Sequence, residues 1–367
     1  MSPRPRLPRD VQELVFWYER YISPLSLIAG FLADNFILLR RVDLWTSNLL
    51  LFFYLVLAGV GIIVINMLET GRMRDAIMLR IAPLVPVAVQ FAFGGLFSAF
   101  LSLYSRSAAY AVSWIFVIIL GATLISNERF TRLYTRITFQ ISVYFAVLFS
   151  FLIFYIPLVV KQIGPYMFLA SGIVALLCIA LFSVTLGVLV PERVVPEQTK
   201  LARAIAIIFI LFSALYFSGA IPPLPLALKE SGVYHGVSRI GSDYHLLSEP
   251  RAWYQAFLNY NTTLHLAPGE SAYVFSSMFA PEGLSTTMLH QWQRYDDSTG
   301  AWVTDETVSF PIVGGRDGGY RGYSFDSGVA PGRWRVNVLT GYGQIVGRIS
   351  FTVEAVTEKP ILEEIVE

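Results

Sequence analysis

The sequence contains only one cysteine and little charge. Because Cys178, which lies within an apolar run, is the single cysteine, this sequence cannot form an internal disulfide. Only 14% of the 367 residues are charged whereas 55% are hydrophobic, a balance too apolar for a soluble globular protein of this length. The net charge of +1 also lacks the concentrated basic face that binds nucleic acid. We therefore expect a protein whose main partner is the lipid bilayer and which does not bind nucleic acid.

Motifs that carry chemistry are scarce as well. The chain has no Gly-x-Ser-x-Gly nucleophile motif and no phosphate-binding Gly-rich motif that ends in Lys-Ser or Lys-Thr. Its four histidines, His235, His245, His265 and His290, are scattered without the close spacing of metal ligands, although Asp243 is near two of them. These absences favour a non-enzymatic protein without metal or cofactor.

Long apolar runs fill the first part of the chain. A membrane-spanning helix needs about 20 mostly apolar residues. Seven segments meet this description, although the first is short and contains Asp34 and Asn35; if it were a re-entrant hairpin, six spans would remain. The predicted spans are Ser23–Leu39, Leu49–Leu68, Ile81–Tyr104, Ala108–Ile125, Thr138–Val160, Tyr166–Val190 and Ala204–Leu224.

Basic residues predict the orientation of these spans. Most arginines and lysines of the helical part lie before the first span or after the second, fourth and sixth spans. Basic residues in short loops favour the cytoplasmic side. The N-terminus is therefore predicted to be cytoplasmic, and an odd number of spans places the C-terminal part on the opposite side. The basic N-terminus is not followed directly by a cleavable signal sequence, so the first span is expected to act as its own signal.

The composition changes after Pro222-Pro223-Leu224-Pro225, where the chain becomes rich in Gly, Tyr, Ser and Asp. Short runs of alternating polarity follow, separated by turn residues, and this pattern predicts an antiparallel β-sandwich of the immunoglobulin-like type. The clearest run is 333–338, in which Trp334, Val336 and Val338 share one side. Other predicted strands are Ala272–Phe279, Thr286–Tyr295, Ala301–Phe310, Tyr320–Phe325 and Ile345–Val353.

The predicted organisation has five parts. It consists of a cytoplasmic segment with a candidate interfacial helix (1–22), a seven-span transmembrane domain (23–225), a junction (226–250), a β-sandwich module (251–356) and a flexible acidic tail (357–367). The fold class is thus an α-helical transmembrane bundle followed by an all-β immunoglobulin-like sandwich.

Polar residues within the predicted spans are the first functional candidates, because burying them in a bilayer is costly. Asp34, Asn35 and Gln90 are such residues, and Asn66 and Gln140 on other spans could pair with Asp34. A structural role for Asp34, which fixes the contact between helices, is favoured over proton or ion handling.

A Gly-rich segment of the module, 314–323, is the second candidate. Its exposed backbone N–H groups and arginines could bind a carboxylated or phosphorylated glycan through Arg316, Tyr320, Arg321 and Tyr323. The favoured alternative is a long hairpin or sheet-crossing loop whose arginines stack on tryptophan rings.

Several motifs of the module form a series. They are His290-Gln291-Trp292, Pro311, Gly314-Gly315-Arg316, Gly319-Tyr320-Arg321, Pro331-Gly332-Arg333-Trp334-Arg335-Val336 and Gly347 to Phe351. This series resembles the bacterial module known as the domain of unknown function number 2914. The helical part is also similar to the membrane proteins that carry this module, through Gly30-Phe31, Asp34, Leu38, Arg41, Asp43, Gln90-Phe91, Gly94, Ser98, Asn127-Glu128, Ile221 to Leu226 and Tyr234-His235.

The resemblance implies a bacterial inner membrane but no established activity. It also implies an ionic cluster of Asp34, Arg41 and Asp43 near the junction, which we expect to help orient the module. The leading hypothesis is a non-enzymatic protein that presents a periplasmic recognition or assembly module to a protein or glycan partner. The alternatives are a transporter or membrane enzyme that uses Asp34 and Gln90 on a lipid-linked substrate, and a structural subunit of a larger membrane complex.

Overall fold

A computed structural model describes residues 45–107, 116, 118, 119, 122, 136–250, 262–315 and 319–367. The chain divides into two compact units. The first is helical and extends to Ile221. The second is β-rich and contains 222–367 together with the short segment Val160–Gly164.

Most of the described helices are long and apolar, and two are short. They are α1 (Trp45–Glu69), α2 (Ala76–Ile81), α3 (Leu84–Ser107), α4 (Ile137–Val160), α5 (Pro165–Leu189), α6 (Pro191–Val194) and α7 (Gln198–Phe217), with a 3-10 turn at Val195–Glu197 before α7. Five segments are long and apolar enough to cross a membrane: Thr46–Glu69, Leu84–Tyr104, Ile137–Val160, Pro165–Leu189 and Pro191–Phe217.

These five segments correspond to five of the seven predicted spans. The predicted span Ser23–Leu39 and most of Ala108–Ile125 lie outside the described residues. The last span differs at both ends, because helical structure begins at Pro191 and ends at Phe217 instead of Leu224. Gly219 has a φ of +77°, and Pro222 and Pro223 lack the N–H groups that would continue a helix.

A buried polar pair connects α1 to α4. The Nδ2 atom of Asn66 donates to Oε1 of Gln140 at 2.7 Å and to the Ile62 carbonyl at 2.8 Å, and both side chains are fully buried. The sequence offered these two residues as partners for Asp34, and the structure pairs them with each other. This hydrogen bond fixes the register of α1 against α4, since an apolar interface alone would allow sliding.

Replacing Asn66 with leucine is expected to destabilise the helical unit by about 1 kcal/mol, the usual size of an interhelical hydrogen bond in a membrane. Unfolding of the purified protein in mild detergent measures this change. Combining Asn66→Leu with Gln140→Leu provides the control, since the two effects should be less than additive if the pair acts as a unit. Full additivity would contradict the proposed register role.

The described residues of the second unit form eleven strands. They are β1 (Ala227–Tyr234), β2 (Gly236–Ile240), β3 (Asp243–Ser248), β4 (Thr263–Leu266), β5 (Ala272–Phe279), β6 (Ser285–Asp296), β7 (Ala301–Val313), β8 (Tyr320–Asp326), β9 (Gly332–Thr340), β10 (Ile345–Ala355) and β11 (Glu363–Val366). Six of them, β5 to β10, coincide within a few residues with the six predicted strands.

The strands form three sheets. Sheet I has the order β1-β5-β8, sheet II the order β4-β10-β9-β6-β7, and sheet III the order β11-β3-β2. All pairings are antiparallel except that of β4 with β10, which is parallel. Alternation along the strands gives sheet II one apolar side, whereas sheet I has apolar side chains on both sides.

Two cores result from this alternation. The larger one contains side chains of sheets I and II, including Val274, Trp292, Trp334 and Val336, and also Ile163 from the segment Val160–Gly164. The smaller one joins sheets I and III and is formed by Tyr234, Val237, Tyr244, Leu246 and Phe275. Strand β5 therefore contributes to both cores, with alternate residues on opposite sides of sheet I.

The boundaries of the module differ from the predicted ones. The predicted junction, 226–250, forms β1, β2 and β3 and is part of the sheets. The predicted flexible tail, 357–367, contains β11, which pairs antiparallel with β3. Ile365 packs against the smaller core, so a strand whose composition is acidic is held by one apolar side chain and by backbone pairing.

Candidate functional site

The structure describes some of the candidate residues. Asp34, Asn35, Arg41, Asp43 and Arg316 lie outside the described residues. Gln90 lies on α3, is half-buried and interacts with other groups. The other candidates lie on β8.

The two glycines before β8 use their backbone N–H groups within the fold. Gly314 donates to the Leu284 carbonyl at 2.8 Å, and Gly315 donates to the Ala280 carbonyl at 3.1 Å. Gly315 has a φ of +98°, which favours glycine. These N–H groups hold the end of β7 to the turn between β5 and β6, so they are not available to an anion.

The three candidates on β8 point to two different sides of sheet I. Tyr320 packs against the larger core. Arg321 and Tyr323 alternate with it and lie on the other side, where Phe325 follows. A strand places successive side chains on opposite faces, so Tyr320 cannot share one binding surface with Tyr323.

Arg321, Tyr323, Phe325 and the neighbouring Tyr273 of β5 form a surface that we call the β8 face. The Phe325 and Tyr323 side chains are 53% and 39% exposed. The ring of Tyr273 stacks on Phe325 with centroids 5.4 Å apart and lies 6.5 Å from the ring of Tyr323. The hydroxyl of Tyr244 donates to the Arg321 carbonyl at 3.2 Å, which ties β8 to sheet III.

Strand β8 also ends its sheet. Among the described strands it pairs only with β5, so its other edge presents backbone N–H and C=O groups without a strand partner. The sequence identified the residue types of this surface but not Phe325 or Tyr273. The alternation in 320–325 was the signal that could have found Phe325; Tyr273 requires knowledge of the pairing of β5 with β8.

A second cluster of polar groups surrounds Glu249. Its Oε1 atom lies 2.8 Å from Nε2 of His235 and accepts from the His265 backbone N–H at 2.8 Å, and its Oε2 atom lies 2.7 Å from Nδ1 of His265. Burial opposes the ionisation of Glu249, but the hydrogen bonds from His235 and His265 outweigh it and lower the pKa of Glu249 to about 2.

Glu249 thus joins the end of β3 to β4, and its two histidines are distant in sequence. Asp243, which the sequence placed near two histidines, is instead hydrogen-bonded to Ser242. Within the described ranges, no group of three His, Cys, Asp or Glu side chains is arranged to hold a metal ion. Through its contacts with His265, Glu249 connects the end of β3 in sheet III to β4 in sheet II.

A third polar group is buried in the larger core. The Nε2 atom of His290 lies 2.8 Å from Oγ of Ser276, and its Nδ1 atom lies 2.9 Å from Oγ of Ser324. Nε1 of Trp292 donates to the same Ser324 oxygen at 3.0 Å. These contacts connect β5, β6 and β8, so they join sheet I to sheet II by hydrogen bonds through the apolar core.

A serine within hydrogen-bonding distance of a histidine is the arrangement that activates a nucleophile. Here Ser276 and His290 are fully buried, and burial lowers the pKa of His290 to about 3. A base of such low pKa, closed off from a substrate, cannot support acyl transfer near neutral pH. The geometry instead supports a structural network that keeps His290 neutral.

The described residues comprise five segments suited to crossing a membrane and a β-rich C-terminal unit. Within that unit, residues 285–353 match the model of a family described as "Protein of unknown function (DUF2914)". The matched segment runs from β6 into β10 and includes His290, Ser324 and most of sheet II. It does not include the helices or strands β1 to β5.

Other comparisons add little. No curated protein matches the chain. Among solved structures, the chain aligns with the Pseudomonas fluorescens alkylpurine DNA glycosylase AlkC bound to DNA containing an abasic site analog, at 10% identity over 93% of this chain and 99% of that chain. The TM-score of 0.23 is too low to indicate a common fold.

Proposed function

We propose that this chain is a seven-span protein of a bacterial inner membrane that presents a periplasmic immunoglobulin-like module to a protein partner. The β8 face carries the proposal, because it combines exposed aromatic rings with a strand edge that has no partner among the described strands. An extended segment of an envelope protein can add to such an edge through backbone hydrogen bonds while its apolar side chains contact the rings.

Sheet order supports the immunoglobulin-like assignment. The pairing of β4 parallel to the last long strand, the neighbouring β9 and β6, and the opposing pair β5-β8 follow the order of an immunoglobulin sandwich. Trp292 on β6 is fully buried between the sheets, the position of the central tryptophan in such domains.

Ion pairs support the proposed orientation of the helices. Arg72 pairs with Glu192 at 3.0 Å, and Arg193 pairs with Glu69. These contacts bring together the segment after the second predicted span and the segment after the sixth. Both are segments that the excess of basic residues assigns to the cytoplasm, so their proximity agrees with one shared side.

The β8 face is tested in living cells with a photo-crosslinking amino acid at Tyr323 or Phe325 of the full-length protein. We expect crosslinks to an extended segment of one envelope protein, mapped by mass spectrometry. A synthetic peptide of that segment should bind the purified protein, and Phe325→Ala should weaken this binding about 30-fold, the effect of losing an aromatic hot spot.

Val303, an exposed residue of β7, provides the matched control. A crosslinker at this position should not capture the same segment, and Val303→Ala should leave peptide binding unchanged. Equal capture from both positions would refute the β8 face as a specific site. Binding of a neutral glycan without any protein crosslink would replace the protein partner by a sugar and also refute the proposal.

A further inference from the structure

The outward face of sheet II contains a second group of polar side chains, on the side of that sheet opposite the larger core. Gln291 and Gln293 come from β6, Arg335 and Asn337 from β9, and Arg348 from β10. The strand register brings them together, since Gln291 is opposite Asn337, Gln293 is opposite Arg335, and Arg348 is opposite Asn337. All five lie within the segment that matches the family model.

Amide groups hold the two arginines in place. Nε of Arg335 donates to Oε1 of Gln293 at 2.7 Å, and Nε of Arg348 donates to Oδ1 of Asn337 at 2.7 Å. Asn337 in turn donates to Gln291 and Gln293, at 3.1 Å each. Each guanidinium thus uses one N–H in the network and keeps its terminal nitrogens for another acceptor.

The arginine charges have no counter-charge in the described part of the chain. Neither Arg335 nor Arg348 pairs with a carboxylate there, and both side chains are half-buried. Burial lowers the pKa of both groups, and the positive charge of Arg348 lowers that of Arg335 further. Two like charges held together and partly desolvated are unfavourable unless an anion joins them.

Arg333, on the same side of the same strand, is an arginine whose charge is balanced by an acidic residue. It pairs with Asp297 at 2.7 Å and lies over the ring of Tyr295, 3.6 Å from its centroid. Its neighbour Arg335 lies over the ring of Trp302 at 4.3 Å but has no acid beside it. The indole restrains the Arg335 side chain without neutralising it.

Neutral hydroxyl side chains also lie beside this network. Ser350 is exposed and lies opposite Arg335 in register, and Thr304 lies beside Gln293. Guanidinium forks bind planar carboxylates in a bidentate manner, and hydroxyl and amide side chains suit the hydroxyl groups of a sugar.

We infer that the outward face of sheet II binds the carboxylate groups of an acidic glycan through Arg335 and Arg348. The amide network of Gln291, Gln293 and Asn337 positions the two guanidiniums, and the neighbouring hydroxyl side chains contact the sugar. This site is separate from the β8 face, which lies on sheet I, so either site can be present without the other.

The test uses the full-length protein in nanodiscs of phosphatidylcholine, a lipid without net charge, and a short oligogalacturonate as the probe. We expect binding of the probe that weakens as salt is raised, and no binding of a neutral dextran oligomer. Arg335→Gln and Arg348→Gln should each weaken binding about tenfold or more, since each removes charged hydrogen bonds. The affinity of Arg335→Lys for the probe should lie between those of the wild type and Arg335→Gln. Lysine keeps the positive charge but cannot form the bidentate hydrogen bonds of a guanidinium.

Two controls separate this site from general attraction and from the proposed function. Arg333→Gln should change binding little, because Asp297 already compensates that charge. Phe325→Ala should also leave oligogalacturonate binding unchanged, because Phe325 belongs to the β8 face and not to this site. Hydrogen exchange of the β9 peptide shows whether each variant remains folded.

Three results would overturn the inference. They are no binding of oligogalacturonate by the wild-type protein, equal weakening by Arg333→Gln, and equally tight, arginine-dependent binding of inorganic phosphate or a polyglutamate peptide. The last would make the site a general anion site instead of one for an acidic glycan.

Discussion

Lowering the pH from about 7 to about 5 is expected to destabilise the β-rich unit by about 2 kcal/mol through His290 alone. Burial lowers the pKa of His290 from its ordinary value of 6.5 to about 3. In the unfolded chain the same imidazole takes up a proton below pH 6.5, whereas in the folded chain it stays neutral. Between these two pKa values protons bind more strongly to the unfolded state. Stability therefore decreases as the pH is lowered through this range.

The measurement compares the wild-type protein with His290→Gln over this pH range. Hydrogen exchange of peptides from β6 in the full-length protein reports the free energy of opening of this unit. His290→Gln is expected to be less stable near neutral pH, because it disturbs the contacts to Ser276 and Ser324, but its stability should depend less on pH. Parallel pH profiles for the two proteins would show that His290 does not carry the effect.

The contribution of Glu249 to stability depends on pH over a lower range than that of His290, so the two effects can be separated. Its pKa is lowered from 4.5 to about 2, so its contribution is present above pH 4.5 and is lost as the pH falls towards 2. At about pH 5 Glu249 remains ionised in both folded and unfolded chains. The loss of stability between pH 7 and pH 5 therefore does not include it.

Replacing Gly314 with alanine is expected to cost about 3 kcal/mol or more, because the added methyl group meets backbone that cannot move aside. A Cβ atom at this position would overlap the carbonyl oxygen of Pro281 and would lie 2.7 Å from that of Ala280. Gly314 and Gly315 approach this backbone closely because both donate hydrogen bonds to the turn between β5 and β6. Thermal unfolding and hydrogen exchange of the peptides around this turn measure the loss.

Gly341 provides a matched control for this glycine. It also donates a backbone hydrogen bond, to Thr287, but an added Cβ would find its nearest neighbours at 3.5 Å, an ordinary contact. Gly341→Ala should therefore change stability by less than about 1 kcal/mol. If Gly314→Ala were equally mild, the close approach of 314 to Pro281 would not be required by the fold.

Local patterns predicted most of the elements of this chain. The length of the apolar runs alone identified the five described spans, because a helix that crosses a bilayer needs about 20 mostly apolar residues. Short runs of alternating polarity between turn residues identified β5 to β10, although β5 proves to contribute to cores on both of its sides. Alternation failed for β11, a four-residue strand in which Ile365 packs against the smaller core and Val366 is exposed, so the strand depends on its pairing with β3.

The polar sites could be predicted only in part. Arg321 and Tyr323 were chosen as candidates because they lie close together in sequence, and the structure places them on one side of β8. The contacts of Glu249 with His235 and His265, and of His290 with Ser276 and Ser324, join residues from separate strands. No spacing rule connects such positions until the register of the sheets is known. The absence of a counter-charge at Arg335 and Arg348 within the described residues is likewise a property of the assembled sheet.

Strand order also determines when the β-rich unit can fold. Strand β4 pairs with β10, β11 pairs with β3, and β5 pairs with β8, so each sheet contains partners far apart along the chain. Contacts of this kind close long loops and form slowly. Among the described strands, β4 has no partner during synthesis until β10 emerges, and the outer edge of β3 has none until β11 emerges. Unpaired strands are prone to aggregation for that period, so the β-rich unit is expected to mature slowly.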